Sequence, residues 1–247
     1  MDFVTKSDVG KRRTNNEDSL FAKIYNENVA LFIVADGLGG YESGEVASAI
    51  VTESVSLFIE EYLNILSSKS EKEVINIFKE AILTANDKIY ELEKTDEKYR
   101  GMGSTVVAIL KVKENIFYAC VGDTRIYYID SKLKNIEQIT VDDTYVNELI
   151  RKNVITEEEA KDHPQKHVLT KAVGILKDLD IEIKKLDISS GYLLLCSDGL
   201  TNMLSNDEIL NIVKTNKFEK IAEKLVLNAN NKGGLDNITV VFIKEGE

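Results

Sequence analysis

The stretch Leu31–Ser48, LFIVADGLGGYESGEVAS, begins as an apolar run and stops at Asp36. It then turns through Gly37, Gly39 and Gly40 and resumes at Ser43 with a helical pattern. A strand, a glycine corner and a helix start can together cradle a phosphate on backbone N–H groups. Here a carboxylate occupies the end of the strand, where a phosphate would be repelled. Asp36 calls either for a cation or for turn chemistry.

Working outward, three strand-like runs open the chain: DFVTKSD, SLFAKIY and VALFIVAD. Two helices follow. In the first, from Ser43, Val46, Ile50, Leu57, Phe58 and Tyr62 recur at near-helical spacing. Ser70 and Glu73 form a capping box for the second, whose apolar stripe is Val74, Phe78, Ala81, Ile82, Ala85, Ile89 and Leu92. Strands return as STVVAILKV, NIFYACVGD and RIYYID, close enough to pair antiparallel through short turns. A polar stretch from about Asp142 to Lys161 reads as two short helices, with a capping box at Thr156 and Glu159. DIEIKKLDI, YLLLCSD and NITVVFIK are further strands, and a third capping box, Ser205 and Glu208, starts a helix between the last two. The order lacks the strict alternation of a parallel sheet. It predicts an α+β fold of packed antiparallel sheets with helices outside. Proline occurs once, at Pro164, and no linker or repeat interrupts the chain, so one domain over residues 1–247 is expected.

The formal net charge of -11 argues against nucleic acid or an anionic membrane as main partner. It suits hard divalent cations, and equally a merely soluble surface. No apolar run is long enough to span a bilayer, and the N-terminus lacks a signal-peptide layout, so a cytoplasmic protein is expected. Cys120 and Cys196 each sit in an apolar run and read as small buried hydrophobes.

Acids recur beside strand ends: Asp36 in FIVADG, Asp123 in YACVGD and Asp198 in LLLCSDG. Asp236 precedes the last strand, and Glu17 and Asp18 precede the second. Each alone is explained by turn chemistry, since Asp-Gly and Asp-Asn are common turn dipeptides. Together, such acids would repel one another if they converged, unless divalent cations turned repulsion into ligation. The two histidines, His163 and His167, lack zinc-like spacing, so an all-oxygen site favours magnesium or manganese.

The segments RTNNED, VADGLGG, GMGSTVV, VGDTR, HPQKHVLTKAVG, LLLCSDGL and GGLDNITVV occur in one order along nearly the whole chain. In that order they resemble the metal-dependent type 2C serine/threonine protein phosphatases in their compact bacterial form. The resemblance implies a four-layer α/β/β/α sandwich with the active site at one end. It implies that Asp36 bridges two Mn2+ or Mg2+ ions and that Gly37 offers a backbone carbonyl to one of them. Asp198 and Asp236 match ligands of the first ion, and Glu17 matches an acid of the second ion's shell. Asp18 matches an acid holding the water network, with a turn-capping role as the alternative. Asp123, shared with Asp198, matches the ligand of a third, weaker ion, with a plain turn as its alternative. Arg13 matches the arginine that binds substrate phosphate; Arg12 is the other choice, but the spacing to Asn16-Glu17-Asp18 favours Arg13. Asn237 is expected to orient Asp236.

By the same resemblance the chemistry is direct attack of a metal-bridging hydroxide on phosphoserine or phosphothreonine, without a phosphoenzyme. Many eukaryotic members carry a histidine two residues after the bridging aspartate; here that residue is Leu38. Residues 141–165 resemble the family's flap, with Asp142, Asp143 and Thr144 where members often have Asp-His-Ser. The partners implied are phosphorylated proteins, among them a membrane-anchored serine/threonine kinase, and the chain is expected to be a monomer. The alternative is a catalytically silent phospho-binding module on the same fold.

Overall fold

A computed structural model describes residues 1–40 and 43–246. Three strands come first: β1 (Asp2–Asp8), β2 (Asp18–Asn26) and β3 (Val29–Leu38). The long helices α1 (Ser43–Leu66) and α2 (Glu71–Glu93) follow. Then come β4 (Gly103–Ser104), β5 (Val106–Val112), β6 (Asn115–Val121), β7 (Arg125–Ile129) and β8 (Ile136–Gln138). Two short helices, α3 (Tyr145–Arg151) and α4 (Glu157–Lys161), precede β9 (Lys184–Leu186) and β10 (Gly191–Cys196). The chain closes with α5 (Asp198–Thr201), α6 (Asn206–Thr215), α7 (Ile221–Asn231) and β11 (Ile238–Glu245). All three capping boxes form: Ser70–Glu73, Thr156–Glu159 and Ser205–Glu208 each exchange side-chain and backbone bonds. These are local signals, and each box satisfies the N3 and N-cap N–H groups of its own helix.

Every strand pairing is antiparallel, in two sheets ordered β1-β11-β10-β7-β8 and β2-β3-β5-β6-β9, with β4 added to β3. Side chains alternate across a strand, and β3 shows the consequence. Leu31, Ile33 and Ala35 pack with α1 and α2, while Ala30, Phe32 and Val34 pack with Leu193, Leu195, Val241 and Ile243 of the other sheet. A strand buried on both faces must be apolar throughout, which explains the unbroken run before Asp36. On the far side, Leu194, Val240 and Phe242 pack with α6 and α7. The result is the expected α/β/β/α sandwich.

Two expectations need correction. The run NIFYACVGD–RIYYID is not a hairpin: β6 pairs with β5 and β9, while β7 pairs with β10 and β8. The chain crosses between sheets at Gly122. Its φ is 96°, and a Cβ there would lie 2.8 Å from that of Thr105, so a side chain is excluded. DIEIKKLDI pairs only over Lys184–Leu186, because Ile181 and Ile183 turn instead into the core beside α2. No helix among the described residues is long and apolar enough to cross a membrane.

Candidate active site

Parity delivers the central acid. Asp36 follows Phe32 and Val34 on the inter-sheet face of β3, at the end of the sandwich. Asp18 stands directly opposite it in the β2–β3 ladder, so the two carboxylates are cross-strand neighbours on one face. Asp198 is the first residue of α5, just past β10, and Asp236 lies two residues before β11. Asp123 sits in the turn between the sheets. Asp36 feels the repulsion of Asp18, Asp198, Asp123 and Asp236. The strand-end acids therefore converge.

The electrostatics follow. Burial, then the neighbouring carboxylates, holds Asp36 well above the usual carboxylate range. Burial pushes Asp18 up to about 7, with Asp198 and Asp236 adding to it and the hydrogen bond from Ser197 opposing it. Burial and then Asp198 push Asp123 up to about 7 as well. Asp198 and Glu17 are raised, first by burial.

Local donors fix the Asp36 backbone and the carboxylates of Asp18, Asp198 and Asp236. The Asp36 N–H donates to Thr105 Oγ1 (3.0 Å), and its carbonyl accepts from the Thr105 N–H (2.8 Å) and Ser104 Oγ (3.0 Å). Ser197 Oγ donates to Asp18 Oδ2 (2.7 Å) and Asn202 Nδ2 to Asp198 Oδ2 (2.9 Å). Arg13 Nη2 donates to Asp236 Oδ2 (2.9 Å). Asp18 Oδ1 and Asp198 Oδ1 remain buried with no hydrogen-bond donor. Among the described residues, no three acid, histidine or cysteine side chains close on one point; the carboxylates surround a common region while Asp18, Asp198 and Asp236 each lean on a separate donor. Unsatisfied buried carboxylate oxygens in an all-oxygen, mutually repelling set fit a hard divalent cation.

Glycines permit the close approaches. A Cβ on Gly37 would lie 2.0 Å from the Gly44 carbonyl oxygen, and one on Gly199 2.0 Å from that of Asn237. Asn237 meets its expected neighbour Asp236 through its backbone, and its side chain bonds elsewhere. Its Oδ1 accepts from the Glu17 N–H (2.8 Å), and its Nδ2 donates to the carbonyls of Val9 and Asn15 (2.9 Å each). The side chain thus anchors the loop bearing Arg13 and Glu17, whereas the Asn237 backbone N–H contacts Asp236 Oδ1 (2.8 Å). Thr105, Ser197 and Asn202 do not stand out in the sequence, although Thr105 and Ser197 lie in GMGSTVV and LLLCSDGL. A hydroxyl's partner is set by tertiary contact and leaves no spacing signal.

A cleft of about 690 Å3 opens beside Asp123 and Asp198, walled by Val146, Ile150 and Arg151 of α3 and reached by His167. His163 packs instead against Tyr145, with ring centroids 6.1 Å apart.

Residues 10–238 match the model of a family described as Protein phosphatase 2C. The chain belongs to this family. The protein phosphatase PhpP of Streptococcus pneumoniae is 37% identical over 250 residues, spanning 100% of this chain and 98% of that protein. The crystal structure of the serine/threonine phosphatase PstP/Ppp of Mycobacterium tuberculosis superposes with a TM-score of 0.86 at 30% identity, covering 100% of this chain and 99% of the other. The catalytic domain of a serine/threonine protein phosphatase PstP, solved in complex with two manganese ions, gives 0.83 at 29% identity over 99% of this chain and 98% of the other. In this phosphatase 2C chain, Leu38 ends β3 half-buried, paired with Gly103.

Proposed function

We propose that this chain is a protein phosphatase that removes phosphate from phosphoserine and phosphothreonine, acting with two divalent cations. The observation that carries the reading is the convergence of half-buried acids on Asp36, with buried oxygens of Asp18 and Asp198 left unsatisfied. Asp36, the Gly37 carbonyl, Asp198 and Asp236 would hold the ions, with Glu17 and Asp18 acting through water and Asp123 at a third position. Manganese or magnesium there would lower the pKa of water and neutralise phosphate charge.

The chain's own residues supply the rest. Ser197 and Asn202 fix the Asp18 and Asp198 carboxylates, and Thr105 and Ser104 fix the backbone that aims Asp36. Arg13 is half exposed and is tied to Asp236 through Nη2 alone. A guanidinium fork so placed can grip two phosphate oxygens. Asn237 holds the loop that presents it. Leu38 carries no proton for the leaving oxygen, and His167 is the histidine at the cleft rim. We take the chain as one catalytic domain, with residues 141–165 as its flap. Its partners are phosphorylated proteins, including a membrane-anchored serine/threonine kinase.

The test is hydrolysis of a phosphothreonine peptide and of p-nitrophenyl phosphate with manganese and then with chelator. Turnover is expected with manganese and not with chelator. Arg13→Ala is expected to lower kcat/KM on the order of a hundredfold, as losing one charge-stabilising group does, and Arg13→Lys to recover only part of it. Phosphopeptide binding without turnover in the wild type would favour the silent module.

A further inference from the structure

Arg125 and Asp142 form an ion pair beside the cleft, its carboxylate buried and its guanidinium side chain 28% exposed, and neither has a task in the chemistry above. Arg125 opens β7, two residues after Asp123. Its Nε donates to both Asp142 oxygens (3.0 Å each), its Nη2 to Asp142 Oδ2 (2.6 Å) and its Nη1 to the Tyr127 hydroxyl (3.1 Å). The Asp142 side chain is only 8% exposed, and Gln138 Nε2 also donates to its Oδ1 (2.9 Å).

The surrounding bonds tie the outgoing stem of the 141–165 segment to the turn that carries Asp123, and the returning stem to the outgoing one. Asn147 Nδ2, on α3, donates to the Asp142 carbonyl (2.9 Å). The Asp143 N–H donates to the Gly122 carbonyl (2.8 Å), and the Gly122 N–H donates to Asp143 Oδ2 (3.2 Å). The returning stem joins at the Thr170 N–H, which donates to the Asp143 carbonyl (2.8 Å), and at the Tyr145 N–H, which donates to that of Val168 (2.8 Å). Arg125, Asp142, Asn147 and the α3 residues Val146 and Ile150 all line the cleft that Asp123 and Asp198 border.

A buried ion pair is a weak source of stability, because desolvation offsets the attraction and apolar residues of similar size serve as well. A bidentate guanidinium–carboxylate contact does fix distance and direction. We propose that Arg125 and Asp142 are a positioning clip. They hold the flap at a set distance from the Asp123 turn, so that the cleft fits the polypeptide on either side of the phosphorylated residue. This rests on the phosphatase reading above. A small aryl phosphate has no such polypeptide and does not need the clip.

Two measurements on full-length Arg125→Lys and Asp142→Asn test it. The first compares kcat/KM for a phosphothreonine peptide with that for p-nitrophenyl phosphate, both with manganese. The peptide value is expected to fall roughly tenfold or more, as a misplacement remote from the reacting atoms does, with the aryl phosphate value unchanged. The second is hydrogen exchange, expected to quicken at amides 141–170 and not in β3, β5 or β10. If Arg125→Lys fails to fold, Asn147→Ala, which removes only the bond from α3 to the Asp142 carbonyl, is expected to show the same split more weakly. A proportional fall on both substrates, no change on either, or unaltered flap exchange would overturn the clip. A wild-type protein inactive on both substrates would overturn the phosphatase reading instead, and the exchange measurement would still decide whether the clip holds the flap.

Discussion

Asp36→Asn is expected to abolish turnover, by on the order of a thousandfold or more, while leaving the protein folded. The backbone bonds to Thr105 and Ser104 do not involve the Asp36 side chain and survive the change. An asparagine has the same shape and removes a half-buried charge that Asp18, Asp198, Asp123 and Asp236 all repel. The metal-free variant should therefore melt a few degrees higher than the metal-free wild type, roughly what 1 kcal/mol produces in a chain of this size. Steady-state kinetics with manganese and calorimetric melting check both halves. Loss of activity together with a lower melting temperature would point to a structural acid and count against the assignment.

Gly37→Ala is expected to cost about 3 kcal/mol or more, at the upper end of overpacking penalties. The added Cβ would meet the Gly44 carbonyl at 2.0 Å and the Glu17 carbonyl oxygen at 2.8 Å. Both are backbone atoms and cannot rotate away. Relief requires shifting either the first turn of α1 or the loop bearing Glu17, and both flank Asp36. Gly40→Ala is the control, because a Cβ there would meet nothing within 4 Å, and its melting temperature should match the wild type. Thermal melting of both variants, with manganese-dependent turnover, decides it; equal melting of the two would remove the packing argument.

The layers of this fold are legible where the signal is local. The two-sided apolar run of β3 and the three capping boxes each encode their structure within a few residues. The acids are legible as candidates because Asp beside a strand end recurs. What the sequence hides is tertiary. Nothing near Gly122 says that the chain changes sheets there. Asp198 reads as the end of a strand but begins α5. Asn237 looks like a neighbour of Asp236, yet its amide spans to Val9, Asn15 and Glu17, more than 200 positions away along the chain. Asp142 looks like one polar residue among many, and only the fold sets it against Arg125.

The central claim is that the protein gathers carboxylates at a cost in stability in order to hold divalent cations. Asp18 and Asp123, held near 7 when folded, bind protons that the unfolded chain has released above about 4. Asp36 and Asp198 are raised in the same direction. Their contribution therefore lowers stability as pH rises from about 4 to 7. Glu73 and Glu208, lowered to about 2, act oppositely but only in acid, below about 4.5, and are level from pH 5 upward. Thermal melting of metal-free protein at pH 5 and pH 7.5, each with and without manganese, reads this out. The metal-free protein should melt lower at pH 7.5, and manganese should raise the melting temperature most there, by selective binding to the folded state. A melting temperature at pH 7.5 indifferent to manganese would contradict the account.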